Sequence, residues 1–293
     1  MKHALLQDSQ GTSPSVVMDD VFPEGIVDMA FAAEARTLLI ATGAGTLTLL
    51  RQDGILLQAN RTMTGVESVV WADNGQFGAA LVGKNKVVCF DSTLQPLWDV
   101  KVTGSVRTLA ITPFGSHLAV CADSARTHIV TTDREQIAKF DTTRPLGFVQ
   151  FLKEKPRLVG AAEFGHLCCH ELDGTEVWNE RITNNVGGMS VTGCGRRILL
   201  ASHNQGIQML TGRGNQKGAF MVDGVPTQVF ASEDRKRIAA LTQESRLYRL
   251  NFEGELQWAA DLSADSPQTI CMDAFGNRLF VSTQSGRLLQ LKW

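Results

Sequence analysis

A single tyrosine stands against 14 phenylalanines in the 293 residues. That leaves few amphipathic rings for an adhesive aromatic surface. Charge of one sign is missing too: the formal net charge is −2. No long-range field therefore draws the chain toward nucleic acid or an anionic membrane. No run approaches the roughly 20 apolar residues of a membrane span. The N-terminus, MKHALLQDSQ, lacks the apolar stretch of a signal peptide. A cytoplasmic location is the resulting expectation. The six cysteines (Cys89, Cys121, Cys168, Cys169, Cys194 and Cys271) form no CxxC pair and show no regular spacing. Most sit in apolar contexts such as VVCF and LAVCA, as small buried thiols of a reducing compartment do.

Common catalytic signatures are absent as well. There is no GxxxxGK[ST], no HExxH and no GxSxG. No window holds an apolar stripe at helical spacing long enough to argue a helix. With 43% hydrophobic residues, the chain still has ample material for a core, and its 27 glycines suit many tight turns.

What is present is a repeat. The stretch PTQVFASEDRKRIAALTQESRLYRLNFEGELQWAADL, residues 226–262, reads as four short strands separated by three polar turns. Taking the first apolar strand as the marker, units begin near Val27, Val66, Val106, Leu146, Val186, Pro226 and Pro267, at steps of 39 to 41 residues. One such unit cannot bury both faces and must stack on neighbours. Three landmarks keep register. Gly75, Gly115, Gly195 and Gly276 each lie nine residues after their unit's start, where a tight turn asks for positive φ. The turn before the last strand reads QDG at residues 52–54, LDG at 172–174 and FEG at 252–254. Trp98, Trp178 and Trp258 each follow their unit's start by 32 residues, a place suited to packing between adjacent blades.

The seventh unit, residues 267–293, has three strands only. Residues 11–27, GTSPSVVMDDVFPEGIV, match the fourth-strand pattern of GTEVWNERITNNV at 174–186. Residues 14–20 are therefore expected to supply the missing outer strand and close the ring. The segment HALLQD, residues 3–8, resembles a third strand followed by a turn at 9–11 and competes with the C-terminal RLLQLKW. The C-terminal strand is favoured because it continues its own hairpin, leaving residues 1–10 as an arm or extra edge strand. The fold expected is all-β: a single seven-bladed β-propeller of four-stranded antiparallel blades over residues 11–293.

A unit of about 40 residues with V-x-x-V/L…D/G-G…L-x-x-A and a DG-x-x-x-W ending resembles the WD40-like and quinoprotein-like β-propellers. The likeness covers nearly the whole chain and implies the fold. No unit carries Trp-Asp at the end of its third strand; the only such pair, Trp98–Asp99, lies in a fourth strand. The Gly-His pair of WD40 repeats is missing from its place before the first strand. The ending DGTEVW is nearer the quinoprotein-like blades, whose quinone-binding dehydrogenases have longer chains of eight blades. The resemblance therefore carries over a fold and no cofactor.

Four clusters invite a chemical reading. Gly212, Gly214 and Gly218 in TGRGNQKG imitate a dinucleotide fingerprint, but the spacing is GxGxxxG with no helix to follow, so they read as turn glycines. His166, Cys168 and His170 alternate on one strand face and their donor types suit zinc. Alternate residues of one strand seldom converge on one ion, however. The place of His170 is apolar in other units (Phe90, Val130, Leu210, Leu250, Leu291), and only His128 echoes Cys168. No metal is assigned. First strands line the axial channel of a propeller, which makes the second residues of the units a candidate binding rim: Asp28, Glu67, Arg107, Gly147, Gly187, Thr227 and Gln268. Finally, Arg157, Arg196, Arg197, Arg235, Lys236 and Arg237, with Lys155, occupy equivalent first turns of units four to six. They form a candidate basic patch for an acidic partner or phosphates. The function expected is a non-enzymatic scaffold binding a protein or peptide through one face. The alternative is an enzyme or small-ligand binder at the channel mouth.

Overall fold

Apolar residues two apart, broken every six or so by a polar turn, give short antiparallel strands, and seven sheets of them follow one another along the chain. The computed structural model describes residues 3–61 and 63–293. Met1 and Lys2, the start of the expected arm, lie outside the described residues. The protein is a seven-bladed β-propeller of four-stranded antiparallel blades. It divides into two compact units, residues 24–182 with blades one to four and residues 1–23 and 183–293 with blades five to seven.

Within a blade the four strands differ in burial for a simple reason. The second and third have neighbours on both edges and both faces. In blade one every residue of Thr37–Thr42 is buried, whereas Leu56–Arg61, the outer strand, is mainly exposed. The first strand begins with a β-bulge in six blades, for example between Ile26 and Asp28 and between Pro226 and Gln228. Phe148–Phe151 of blade four pairs without one. This register corrects the sequence alignment of the first unit. Ile26, not Val27, is the counterpart of Val66 and Pro226, because each is the last residue paired before its bulge.

The turn landmarks hold. Gly75, Gly115, Gly195 and Gly276 have φ between +65° and +71°, and Gly54, Gly174 and Gly254 between +87° and +89°. Gly214 closes the hairpin turn by donating its N–H to the Thr211 carbonyl at 3.0 Å. Trp258 is fully buried in a cluster with Leu279, Val281, Leu289 and Leu291 of blade seven. Its ring meets that of Trp293 edge-on, centroids 5.3 Å apart. Trp98 is half-buried between blades two and three, and its Nε1–H donates to the Thr132 carbonyl at 2.6 Å.

Blade seven is completed from the other end of the chain. Ser15–Val21 pairs antiparallel with Arg287–Lys292, one residue beyond the span 14–20 read from the sequence. The arm before it supplies an extra edge strand, one of the two outcomes expected for residues 1–10, though its local elements differ from those read in HALLQD and the residues after it. Ala4–Leu6 is a single 3-10 turn rather than a strand. Ser9–Gly11 is a fifth strand on the outer edge of blade six rather than a turn, with Ser9 opposite Ala260 and Gly11 opposite Trp258. The physical reason is Leu6, which is only 3% exposed and packs into the cluster around Trp258 and Leu262. One turn of 3-10 helix places that side chain inward while the chain turns back along the blade edge. Among the described residues no helix is long and apolar enough to cross a membrane.

Candidate functional site

The bulge that opens six of the seven first strands decides what their next residues can do. It pushes the second residue out of the ladder and turns the third toward the neighbouring blade. Asp28 is such a third residue, so it does not share a place with Glu67 and Arg107 as the sequence alignment had it. Val27 does, at 38% exposure. The Asp28 carboxylate accepts from its neighbour Met29 N–H at 2.8 Å and from Val69 N–H of blade two at 2.9 Å. Enclosure in the fold outweighs these two donors and pushes its pKa up to about 6. Gln228 does the same work in the other unit. Its Oε1 accepts from Ile270 N–H at 3.0 Å and its Nε2 donates to the Gln268 carbonyl at 2.7 Å. These inter-blade bridges were invisible in the sequence except as a polar residue two places into an otherwise apolar strand.

The remaining rim candidates differ in availability. Arg107 is spent on two carboxylates, with Nε 2.6 Å from Asp123 Oδ1 and Nη1 2.6 Å from Glu163 Oε1. Thr227 Oγ1 donates to the Leu241 carbonyl at 3.2 Å. Glu67 and Gln268 are exposed.

The His166–Cys168–His170 strand is a blade interior. All three residues are buried. The His170 ring stacks on Phe140 at 4.1 Å between centroids, and burial lowers the pKa of both histidines. Burial pushes the Cys168 thiol well above its ordinary value, and its Sγ donates to the Gly160 carbonyl at 3.6 Å. A thiol kept protonated is a poor zinc ligand. Among the described residues no three His, Cys, Asp or Glu side chains are placed to hold a metal ion. All six cysteines are free.

The basic patch resolves into two engaged arginines and one open group. Arg157 belongs to blade four and is bound to Glu171, with Nε 2.8 Å from Oε1. Arg196, Arg197, Arg235, Lys236 and Arg237 lie in the unit of blades five to seven. Among the described residues only Arg237 of these is ion-paired, its Nη1 3.6 Å from Asp234 Oδ2, and it also donates to the Phe275 carbonyl at 2.6 Å. Arg196, Arg235 and Lys236 are exposed; Arg197 is half-buried and donates to the Arg196 carbonyl at 2.9 Å.

Beside them the blades part. Arg197, Met209 and Lys217 of blade five face Asp234, Arg235, Phe252 and Glu253 of blade six across a groove of about 340 Å³. Lys217 was not among the sequence candidates, since it sits on the outer strand Gln216–Phe220, 20 residues along the chain from Arg197. The repeat itself could have found it. Lys217 occupies the bulged place of its outer strand, between the paired residues Gln216 and Gly218. Five other blades carry an aliphatic there: Leu57, Leu97, Ile137, Val177 and Val17. A second groove, of about 370 Å³, lies by Met63, Val88, Leu97 and Trp98 of the other unit, with the Lys86–Asp99 ion pair at its lip.

In comparisons with known proteins, no family model and no curated protein sequence matches this chain.

Proposed function

We propose that this propeller is a non-enzymatic scaffold that binds an acidic segment of a protein or peptide partner through the turn face of blades five and six. The observation that carries the reading is the group of cations Arg196, Arg197, Lys217, Arg235 and Lys236, which take part in no ion pair among the described residues. On a chain of net charge −2, such a surplus in one unit is a local feature, and local charge steers association and selects partners. The scaffold suits the role. Turns on a repeat-built sheet stack hold their side chains in fixed positions while remaining free to vary. The quinoprotein-like blade endings fit the same reading as a matter of architecture, with no cofactor. Six free cysteines fit a reducing, cytoplasmic setting.

A defined peptide pair tests it. A fluorescein-labelled ten-residue peptide rich in Asp and Glu should bind the intact protein, with affinity falling steeply between about 50 and 200 mM salt. The scrambled-charge counterpart rich in Lys should not bind. The triple variant Arg196→Glu, Arg235→Glu, Lys236→Glu should lose the acidic peptide and keep its melting curve. Equal binding of both peptides, or of wild type and variant, would sink the reading.

A further inference from the structure

The groove between blades five and six has more character than a charged surface. We infer that it binds a phosphomonoester on a partner's side chain, a phosphoserine or phosphothreonine received by Arg197, Lys217 and Arg235. The inference rests on the acidic-segment reading above and names what the segment carries.

Charge is the first argument. Three cations and two carboxylates line the groove. One carboxylate, Asp234, is already occupied. Its Oδ1 accepts from Ser232 Oγ at 2.6 Å and from Lys236 N–H at 3.1 Å, and its Oδ2 faces Arg237. Counting Arg237 with the carboxylate it neutralises, the groove keeps a surplus of two positive charges. A phosphomonoester carries close to two negative charges at neutral pH, and a carboxylate only one. Geometry is the second argument. The cations come from three different elements, namely a strand start (Arg197), an outer strand (Lys217) and a turn (Arg235). They therefore approach the groove from both blades. A tetrahedral anion with three terminal oxygens can receive donors arriving from different sides, whereas a carboxylate offers only two oxygens lying in one plane. Donor quality is the third: guanidinium forks suit phosphate oxygens and need no dehydration as costly as an ammonium's.

Met209 and Phe252, both half-buried, supply the apolar lining. They give the residue next to the phosphorylated one a surface to cover, and a free phosphate ion would leave them untouched. The exposed Glu253 stands at the same groove. Its charge repels a dianion more than a monoanion, so it moderates the affinity for phosphate rather than adding to it.

The experiment uses the full chain and a set of matched labelled peptides. Each is nine residues long with a central phosphoserine, serine, aspartate or glutamate and a leucine beside it; fluorescence polarisation gives affinities at 150 mM salt. The phosphopeptide is expected to bind at least tenfold more tightly than the Asp and Glu peptides. Arg197→Gln or Lys217→Gln should weaken it about tenfold each, and Glu253→Gln should tighten it a few-fold. Lys139→Gln, on the exposed edge of blade three, should leave it unchanged, and circular dichroism melts should report all variants folded. If Asp or Glu peptides bind as tightly as the phosphopeptide, the phosphate inference falls and the acidic-segment reading survives. If no peptide binds, both fall. If inorganic phosphate displaces the phosphopeptide at equal concentration, the groove is a site for the free ion and the inference is overturned.

Discussion

The guanidinium of Arg249 lies over the indole of Trp293, its central carbon 4.6 Å from the ring centroid. Arg249 is 8% exposed, and its Nη1 and Nη2 donate to Gln257 Oε1 at 2.8 Å and to the Gly276 carbonyl at 3.2 Å. Burial, then the nearby Arg237, brings its pKa down to about 10. The Trp293 Nε1–H in turn donates to the Thr12 carbonyl at 2.9 Å. One cation thus holds the last residue of the chain, and that residue holds the segment leading into the strand that completes blade seven.

Arg249→Ala is therefore expected to cost about 2–4 kcal/mol. It removes two charge-assisted hydrogen bonds, strands the Gly276 carbonyl and takes away a cation–π contact. Trp293→Ala should cost less, since the arginine keeps its two acceptors. Urea melts rank the two. Amide exchange over residues 12–21 should quicken in both. Equal protection there in Trp293→Ala and wild type would show that Trp293 does not tether the segment.

Asp28 makes stability depend on pH. Its carboxyl titrates at about 6 in the fold against roughly 3.9 when unfolded. Between these values the folded state binds more protons than the unfolded one, so stability falls as pH rises. The contribution is fully present below about pH 4 and lost as pH rises through about 6, on the order of 3 kcal/mol. Asp28→Asn cannot ionise and should flatten this part of the stability profile. Its single acceptor oxygen leaves either Met29 N–H or Val69 N–H without a partner, so the variant is not a stabilised protein at low pH. Urea midpoints from pH 4 to 7 for both chains check the sign. A variant profile parallel to wild type would remove Asp28 from the account.

The period, the blade count and the strand that completes blade seven were legible in the sequence. All three follow from local chemistry repeated seven times: an apolar strand, a polar turn, a glycine where φ must be positive. What was not legible depends on contacts between distant residues. Shifting the first unit by one residue, from Val27 to Ile26, moved Asp28 from a rim to a bridge, because a β-bulge leaves no mark in an apolar run. The ion pairs that occupy Arg107 and Arg157 involve partners 16, 56 and 14 positions away. Lys217 enters the groove from an outer strand, and only the repeat register brings it to mind.

Arg235 sets stability against binding. It sits at φ +56°, in the turn place where blades two, three, five and seven have glycine. A side chain in that left-handed region costs about 1 kcal/mol relative to glycine. Arg235→Gly should therefore raise stability slightly, the gain being reduced by the greater freedom of glycine in the unfolded chain. It should also remove one of the three cations of the groove and weaken phosphopeptide binding about fivefold or more. A variant that melts higher and binds less would separate the two roles of the position. One that binds equally well would take Arg235 out of the groove's donor set.

Gly11 decides whether the arm can lie against blade six. Its φ is +80°, and a Cβ there would meet the Gln257 carbonyl oxygen at 2.2 Å. That oxygen also accepts from Thr12 N–H at 3.0 Å, so it cannot move aside without losing a bond. Gly11→Ala must then lift residues 9–11 off the edge of blade six, where they pair with residues 258–260. Leu6, anchored against Trp258 and Leu262, would lose the strand that positions it. His3, 2.9 Å from Asp19, would lose the same support. The expected cost is about 2–3 kcal/mol, near that of Leu6→Ala, which removes the buried side chain directly. The double variant should add little to either, since both act by releasing one segment. Limited proteolysis distinguishes this from general loosening: cleavage before residue 12 should accelerate in all three variants while the blades stay intact. Additive losses would mean that Leu6 and the edge strand are held independently.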